Sequence, residues 1–221
     1  DSNSNGSKMG GMDSSGSSNS EQGAGNTGDS STSTEKYQIQ NNAVLLRNTS
    51  NIDWNELQNQ AENLYKSWTT ITLDLNTMNV TSENILAYNT NLDNLMVSLK
   101  EKNKVNSAIC LANMYSLIPK YTNEISSDTA KSKLESVKSN IIFAYSIVET
   151  NRWDDVLKLL GQAETDLTEL MTMKENLSAI RKPKINKAYV LLKELIKSSN
   201  DKNVDIFYLK YITLIEELDN L

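Results

Sequence analysis

Two pairs of closely spaced methionines carry the most specific metal-binding chemistry in this sequence. Met9 and Met12 flank two glycines near the N-terminus, and Met171 and Met173 are separated by a single residue. Thioether sulfur atoms are soft ligands that select Cu(I). Met9 and Met12 are therefore the candidate metal ligands, as a weak copper site of two thioethers, whereas Met171 and Met173 fit one core and one surface position.

The chain has one cysteine and no histidine. The missing histidines remove the commonest general base and the commonest transition-metal ligand. Cys110 lies between Ile109 and Leu111, and a nucleophilic cysteine needs a base beside it. We therefore expect Cys110 to be a small buried residue, and one thiol excludes a disulfide within the chain or a cysteine-rich metal site.

Adjacent acidic residues occur at Asp154 and Asp155 and again at Glu216 and Glu217. Paired carboxylates serve as acid and base only when the fold brings them together from separate elements. Neighbours on one helix point about 100° apart. These pairs therefore predict solvated faces, and we expect no catalytic residues and no cofactor.

The only local basic cluster consists of Arg181, Lys182, Lys184 and Lys187. It could contact an anionic surface such as a wall polymer or lipid head groups, or it could be a solvated helix start. The net charge of the whole chain is −6. Nucleic-acid binding is not expected, because such proteins normally present a basic face.

The composition divides the chain into three parts. Residues 1–36 consist mostly of Gly, Ser, Asn and Thr and contain seven of the eight glycines. Such a segment buries too little apolar surface to fold, so it predicts a disordered linker. Residues 37–50 are a transitional segment in which Val44, Leu45 and Leu46 could form a short helix or pack on the domain edge. Residues 51–221 form the predicted domain.

Apolar residues in this domain recur at alternating intervals of three and four, which indicates amphipathic helices. We predict an all-α fold, an antiparallel helical bundle or stack of helical hairpins with about seven helices. The expected helices are 53–78, 83–102, 104–121, 128–150, 152–177, 183–199 and 203–220. The first apolar seam comprises Trp54, Leu57, Ala61, Leu64, Trp68, Ile71, Leu75 and Met78. Because Trp54, Trp68 and Trp153 all occupy seam positions, core packing is favoured over a ligand-stacking set.

Several residues mark helix boundaries. Asp53 and Glu56 predict a capping box at the first helix, and Asn151 predicts a cap before Asp154 and Asp155. Pro119 is expected near the end of the third helix. Pro183 is expected in the first turn of the sixth.

A weak internal repeat accompanies these boundaries. Asn51, Asn103, Asn151 and Asn203 each precede a predicted helix and are separated by 52, 48 and 52 positions. Stacked hairpins with similar caps explain this pattern, and a duplication explains it as well. The period is too long for a tetratricopeptide unit.

Three stretches resemble a group of small helical lipoproteins from Gram-positive, clostridial-type bacteria. They are DWNELQNQAENLYKSW, SLKEKNKVNSAICLANMYSLIPKY and VETNRWDDVLKLLGQAE. The similarity covers roughly residues 50–175 and consists of two helix-start tryptophans, a Leu-Tyr pair and a Met-Tyr-x-Leu-x-Pro turn. The resemblance implies a lipid anchor on a cysteine immediately before Asp1 and attachment to the outer face of the membrane, and because this group has no established activity, it implies a location and not a mechanism.

The sequence thus favours a non-enzymatic cell-envelope protein. Its helical domain would be an interaction module, tethered by a flexible linker and contacting another envelope protein or a wall component. The alternative is an extracytoplasmic protein that binds a small ligand or copper.

Overall fold

The computed structural model describes residues 52–78, 80–173 and 181–221, and over these residues the fold is all-helical, as predicted. Within the described residues a single 3₁₀ turn, Val148–Thr150, accompanies the α-helices. Those helices are α1 (Trp54–Thr77), α2 (Ser82–Lys100), α3 (Lys104–Tyr115), α4 (Ile118–Ile125), α5 (Thr129–Ile147), α6 (Trp153–Thr172), α7 (Arg181–Asn200) and α8 (Val204–Asp219).

The predicted third helix is divided into α3 and α4. The chain turns at Ser116 and Leu117, and Pro119 lies in the first turn of α4 instead of near the end of a longer helix. The physical reason is that proline lacks an N–H and is accommodated best in a first turn, where that group has no intrahelical partner. The expectation for Pro183 is confirmed, since it lies in the first turn of α7.

Side-chain caps begin several helices. The Asp53 carboxylate accepts hydrogen bonds from the backbone N–H groups of Asn55 at 3.1 Å and Glu56 at 3.0 Å. Asn103 and Asn203 cap α3 and α8 in the same way, each accepting an N–H three residues later at 3.0 Å. These contacts satisfy amide groups that have no partner within the helix.

Asn151 is not a helix cap, contrary to the sequence prediction. It adopts a left-handed conformation with φ of 60°, and Arg152 occupies the cap position of α6. Asparagine tolerates this conformation better than most residues, so Asn151 reverses the chain between the 3₁₀ turn and α6. Asn51 lies outside the described residues.

The last four helices form a closed antiparallel bundle. Helix α5 packs on α6 and α8, and α7 packs on α6 and α8, so that each helix has two neighbours in the ring. Their core is continuous and includes fully buried side chains from every helix, among them Ile141, Leu160, Leu192 and Phe207. Short connections between sequential helices produce this antiparallel order.

The first four helices form a second core, and the described residues leave one side of it open. Helix α1 packs extensively on α2, α2 on α3, and both α3 and α4 on α5. The core contains Trp54, Trp68, Leu92 and Tyr121 together with neighbouring apolar residues. Only every seventh residue of the α1 seam is buried, namely Trp54, Ala61, Trp68 and Leu75.

The other half of the predicted α1 seam is buried incompletely or not at all, and of its four residues only Leu64 packs against the core, partly buried. Leu57, Ile71 and Met78 are exposed, with 37%, 43% and 50% of their surface accessible. The heptad spacing is correct, but among the described residues no helix covers this side of α1. An apolar stripe is buried only when a partner element lies against it.

Candidate functional site

The open side of the N-terminal core forms an apolar groove of about 500 Å³. One wall is the first half of α1, and the other is formed by α3, α5 and α8, with the end of α2 between them. Pockets that bind small ligands usually have volumes of about 300–1,000 Å³. Among the described residues, this groove is the strongest candidate for a binding site.

The α1 wall is built from one heptad seam. Trp54, Leu57, Ala61 and Leu64 lie three and four residues apart and all line the groove. Trp54 and Ala61 are buried, whereas Leu57 and Leu64 retain accessible surface. Asp53 fixes the first turn of the wall through its two hydrogen bonds.

Small residues on α3 give the groove its depth. Ser107 and Ala108 face it beside Leu111, and Leu95 and Leu99 of α2 line its interior. The Ser107 hydroxyl lies 2.9 Å from that of Ser98 and donates to the Asn103 carbonyl oxygen at 2.8 Å. Its polar atom is therefore already satisfied by the protein.

Two tyrosines form the wall opposite α1. The rings of Tyr145 and Tyr211 stack with centroids 4.4 Å apart. Burial raises the pKa of the Tyr145 hydroxyl, assisted by the nearby Glu149 carboxylate. Burial likewise raises the pKa of Tyr211, with further contributions from Tyr145 and Asp219. Both phenols therefore stay protonated at neutral pH, where they can donate hydrogen bonds but cannot act as bases.

The charged residue lining the groove is Lys104, at its end. Its Nζ atom lies 2.6 Å from a carboxylate oxygen of Glu149 and 5.8 Å from the centroid of the Tyr208 ring. The Tyr208 hydroxyl donates to the same carboxylate. The positive charge is thus partly neutralised where it meets the groove, and the surface offered to a ligand is predominantly apolar.

The lining that the described residues give the groove is suited to binding an apolar partner. The side chains that line the groove are mostly aliphatic or aromatic, and Gln60, Lys104 and Ser107 are hydrogen-bonded within the protein. An exposed apolar groove bounded by helices is typical of sites that bind another helix or an apolar small molecule.

The structure bears on the cysteine and on one of the two methionine pairs. Met9 and Met12 lie outside the described residues, so the copper hypothesis stays a prediction. Met171 and Met173 are both partly buried against the C-terminal core. Cys110 is buried, as predicted, and its burial raises the pKa of the thiol.

The three tryptophans belong to two different cores. Trp54 and Trp68 are in the N-terminal core and Trp153 is in the C-terminal one. The ring of Trp68 stacks on Tyr88 with centroids 3.8 Å apart, and its indole N–H donates to Asn89. The core interpretation is confirmed, and Trp54 also lines the groove.

The charged clusters lie in surface ion pairs. Asp155 pairs with Arg152 at 2.7 Å, and Glu217 pairs with Lys187. Lys184 donates to the Asn220 carbonyl oxygen at 3.1 Å. Two lysines of the basic cluster therefore contact the end of the C-terminal helix.

The described part of the chain contains no group of three or more His, Cys, Asp or Glu side chains that could hold a metal ion. Over the same residues, none of the helices has the length and apolar character needed to cross a lipid bilayer.

Sequence reasoning missed the groove residues because their periodicity is that of a core. Leu57 and Leu64 have the spacing of buried residues, and nothing local distinguishes them from Trp54. A usable signal was the contrast after the two repeated asparagines. Ser107 and Ala108 follow Asn103 at the positions where Phe207 and Tyr208 follow Asn203.

Comparison with known proteins yields no relative: no protein-family profile matches the chain, and neither a characterised sequence nor a solved structure is significantly similar to it.

Proposed function

We propose that this chain is a non-enzymatic interaction module of the bacterial cell envelope, and that its apolar groove binds an amphipathic helix of a partner protein. The observation that carries the binding role is the groove itself. It exposes a regular helical seam on α1, in which Leu57 and Leu64 lie one heptad apart. Such a seam presents the spacing that a partner helix recognises.

The cell-envelope location is supported by the resemblance to clostridial-type lipoproteins and by the composition of residues 1–36. A Gly/Ser-rich chain of about 40 residues has an r.m.s. end-to-end distance of roughly 30–40 Å. A lipid on a cysteine before Asp1 would hold the domain near the outer face of the membrane. The linker would let it search for a partner envelope protein or wall component.

The tether is tested in the source bacterium with a clickable fatty-acid analogue. We expect the label on the N-terminal peptide of the mature protein. A precursor without a signal peptide ending at a cysteine, or a mature chain without label, would refute the tether and leave the groove proposal standing.

The groove is tested with a defined probe, a fluorescein-labelled 19-residue amphipathic peptide with leucine and alanine at heptad positions. Fluorescence anisotropy measures its affinity for the full chain. Replacing Leu57 with Asp removes apolar contact and inserts a charge, so we expect affinity to fall at least about tenfold.

Leu73→Asp is the matched control for this experiment. Leu73 is also on α1, is 67% exposed and is not part of the groove lining. We expect its affinity to stay within about twofold of the parent. Equal losses in the two variants, or no binding by the parent chain, would contradict the proposal.

A small apolar ligand is the second candidate occupant, because the groove volume falls in the range of ligand pockets. An environment-sensitive apolar dye distinguishes the two. Dye binding lost in Leu57→Asp, combined with no peptide binding, would favour the small-ligand function over the helix-binding one.

A further inference from the structure

The described chain contains two related three-helix units, α1–α2–α3 and α6–α7–α8. The α2–α3 and α7–α8 turns have the same hydrogen bonds at positions one hundred residues apart. Asn103 N–H donates to the Ser98 carbonyl oxygen at 2.9 Å, and Asn203 N–H donates to that of Ser198 at 3.2 Å. Lys102 and Lys202 both adopt positive φ, at 55° and 53°.

The buried residues of the two units match as well. The same one-hundred-residue interval relates buried positions of α2 and α7 that carry identical residue types: Ile85 and Ile185, Leu92 and Leu192, Leu95 and Leu195, and Ser98 and Ser198. This agreement of turn geometry and core identity favours duplication over the independent origin of similar caps.

The units differ in what covers them. In the second unit, α5 packs on both α6 and α8 and closes the bundle. The groove occupies the corresponding place in the first unit, between α1 and α3. Among the described helices, none takes the position against α1 that α5 takes against α6.

Accessible seam residues of α1 lie at positions that are buried in α6. The residues three, ten and seventeen positions after Trp153 are fully buried in α6, whereas those at the same distances after Trp54 are exposed or half-buried in α1. The pairs are Val156 with Leu57, Ala163 with Leu64, and Leu170 with Ile71. Within the described helices, the groove thus lies in the first unit where α5 lies in the second.

The chain immediately before α1 has the right position to supply a helix at this place. In the second unit α5 ends at Ile147, six residues before Trp153. The same order places the corresponding helix just before residue 50. In this segment Ile39, Ala43 and Leu46 follow the i, i+4, i+7 spacing of one helix face.

The path from this segment to the groove is short. Ile52 itself lines the groove. The six residues from Leu46 to Ile52 span at most about 20 Å. Ser107 and Ala108 replace the bulkier Phe207 and Tyr208 of the second unit, which leaves room for a large side chain such as Leu46.

We infer that residues 38–50 of this chain bind in the groove between α1 and α3 as an amphipathic helix that completes the first four-helix unit. A partner helix must then displace this segment. The inference stands independently of the proposed function, because the segment would fill the groove whether or not a partner exists.

Disulfide trapping in the full chain tests the inference directly. In a Cys110→Ser background, Leu46→Cys is combined with Leu111→Cys, in the groove, or with Val190→Cys on α7. Val190 is 60% exposed and lies outside the groove lining. After mild oxidation at low protein concentration, we expect at least about fivefold more intramolecular cross-link for the Leu111 pair, because proximity raises the effective concentration of the thiols.

Equal cross-linking of the two pairs would overturn the inference. Predominantly intermolecular cross-links through Leu111→Cys would also overturn it, because they would identify a second copy as the occupant. Both outcomes are read on a non-reducing gel followed by peptide mass spectrometry.

A second measurement uses the double variant Leu45→Asp/Leu46→Asp with Asn41→Asp/Asn42→Asp as a control of equal charge. We expect backbone amides of residues 57–64 to exchange hydrogen at least about fivefold faster in the leucine variant only, because uncovering a helix lowers its local stability. Unchanged exchange in the leucine variant would refute the inference.

The same variants separate this inference from the proposed function. Trapping without any peptide binding would keep the intramolecular helix and reject the partner helix. Peptide binding of equal affinity in both double variants, without intramolecular cross-linking, would keep the partner helix and reject the intramolecular one.

Discussion

The two halves of this molecule use the same three-helix unit but bury it to different extents. In the C-terminal half, Leu160, Leu167 and Leu170 of α6 are completely buried, whereas in the N-terminal half Leu57 and Ile71 of α1 are accessible. The difference lies in the neighbours of each helix, because α6 packs on α5 and α7 while α1 packs extensively on α2. The same apolar heptad stripe is therefore part of a core where another helix packs against it, and is an accessible surface where none of the described helices does.

The largest expected difference in stability is between alanine substitutions at matching positions of α6 and α1. Leu170→Ala removes a fully buried side chain, and we expect the free energy of unfolding to fall by about 2–5 kcal/mol. Ile71→Ala, at the matching position of α1, should cost under about 1 kcal/mol because Ile71 is 43% exposed. Urea denaturation measures both. Similar losses would show that Ile71 is covered in solution.

A buried acid distinguishes the closed half. The Asp166 carboxylate accepts from the Ser136 hydroxyl at 2.7 Å, from Gln162 at 3.2 Å and from Lys133 at 3.3 Å. Asp166→Ala leaves Ser136 and Gln162 without this acceptor, so we expect the free energy of unfolding to fall by about 2–3 kcal/mol. Lys133 keeps its ion pair with Glu169 at 2.7 Å. The control Asp155→Ala breaks only an exposed pair with Arg152, and urea denaturation should show a change under about 1 kcal/mol.

A bulky side chain in the groove should block the peptide, as Tyr208 fills the corresponding position of the C-terminal half. Ala108→Tyr places on α3 the residue found at Tyr208 of α8, and we expect the amphipathic peptide to bind about tenfold more weakly. The unfolding free energy should change by less than about 1 kcal/mol, because Ala108 lines the groove and the added ring does not enter either closed core. Thr90→Tyr on the exposed face of α2 is the control. Unaltered peptide affinity in Ala108→Tyr would place the peptide elsewhere.

The smallest effect concerns a cap that ties α4 to α2 in the open half. The Glu124 carboxylate accepts from the Thr81 backbone N–H and hydroxyl, both at 2.8 Å, and from Asn84 at 2.7 Å. The hydrogen bond from the Thr81 backbone N–H lowers the pKa of Glu124 most, and the Thr81 and Asn84 side chains add to it. The ionised form is therefore favoured in the folded state.

The sign of the resulting pH dependence follows from this lowered pKa. The contribution of Glu124 to stability is fully present above the pKa of an unfolded glutamate, about 4.3. It is lost as the pH falls through the lower pKa of the folded state. Glu124→Gln should thus be less stable than the parent at pH 6, and the difference should shrink by pH 3. Thermal unfolding at the two pH values measures this difference in stability, and Glu62→Gln, at an exposed position of α1, is the control. A difference that is equal at both pH values would contradict the cap.

Much of the fold was predictable because its information is local. The heptad spacing of α1, the Asp53 cap and the caps at Asn103 and Asn203 are each set by residues within two turns of one another. The predictions failed where two local interpretations compete. Pro119 suits a helix start as well as a helix end, and Asn151 suits a left-handed turn as well as a cap.

The sequence by itself determined the helical class, the positions of most helices and the burial of the three tryptophans. Only the tertiary structure decided that Leu57 and Leu64 line an open groove while Val156 and Ala163 are buried. Periodicity states which residues share a helix face, because that depends on backbone geometry alone. Whether the face is covered depends on which other element packs against it, and the pattern within the helix does not record that element.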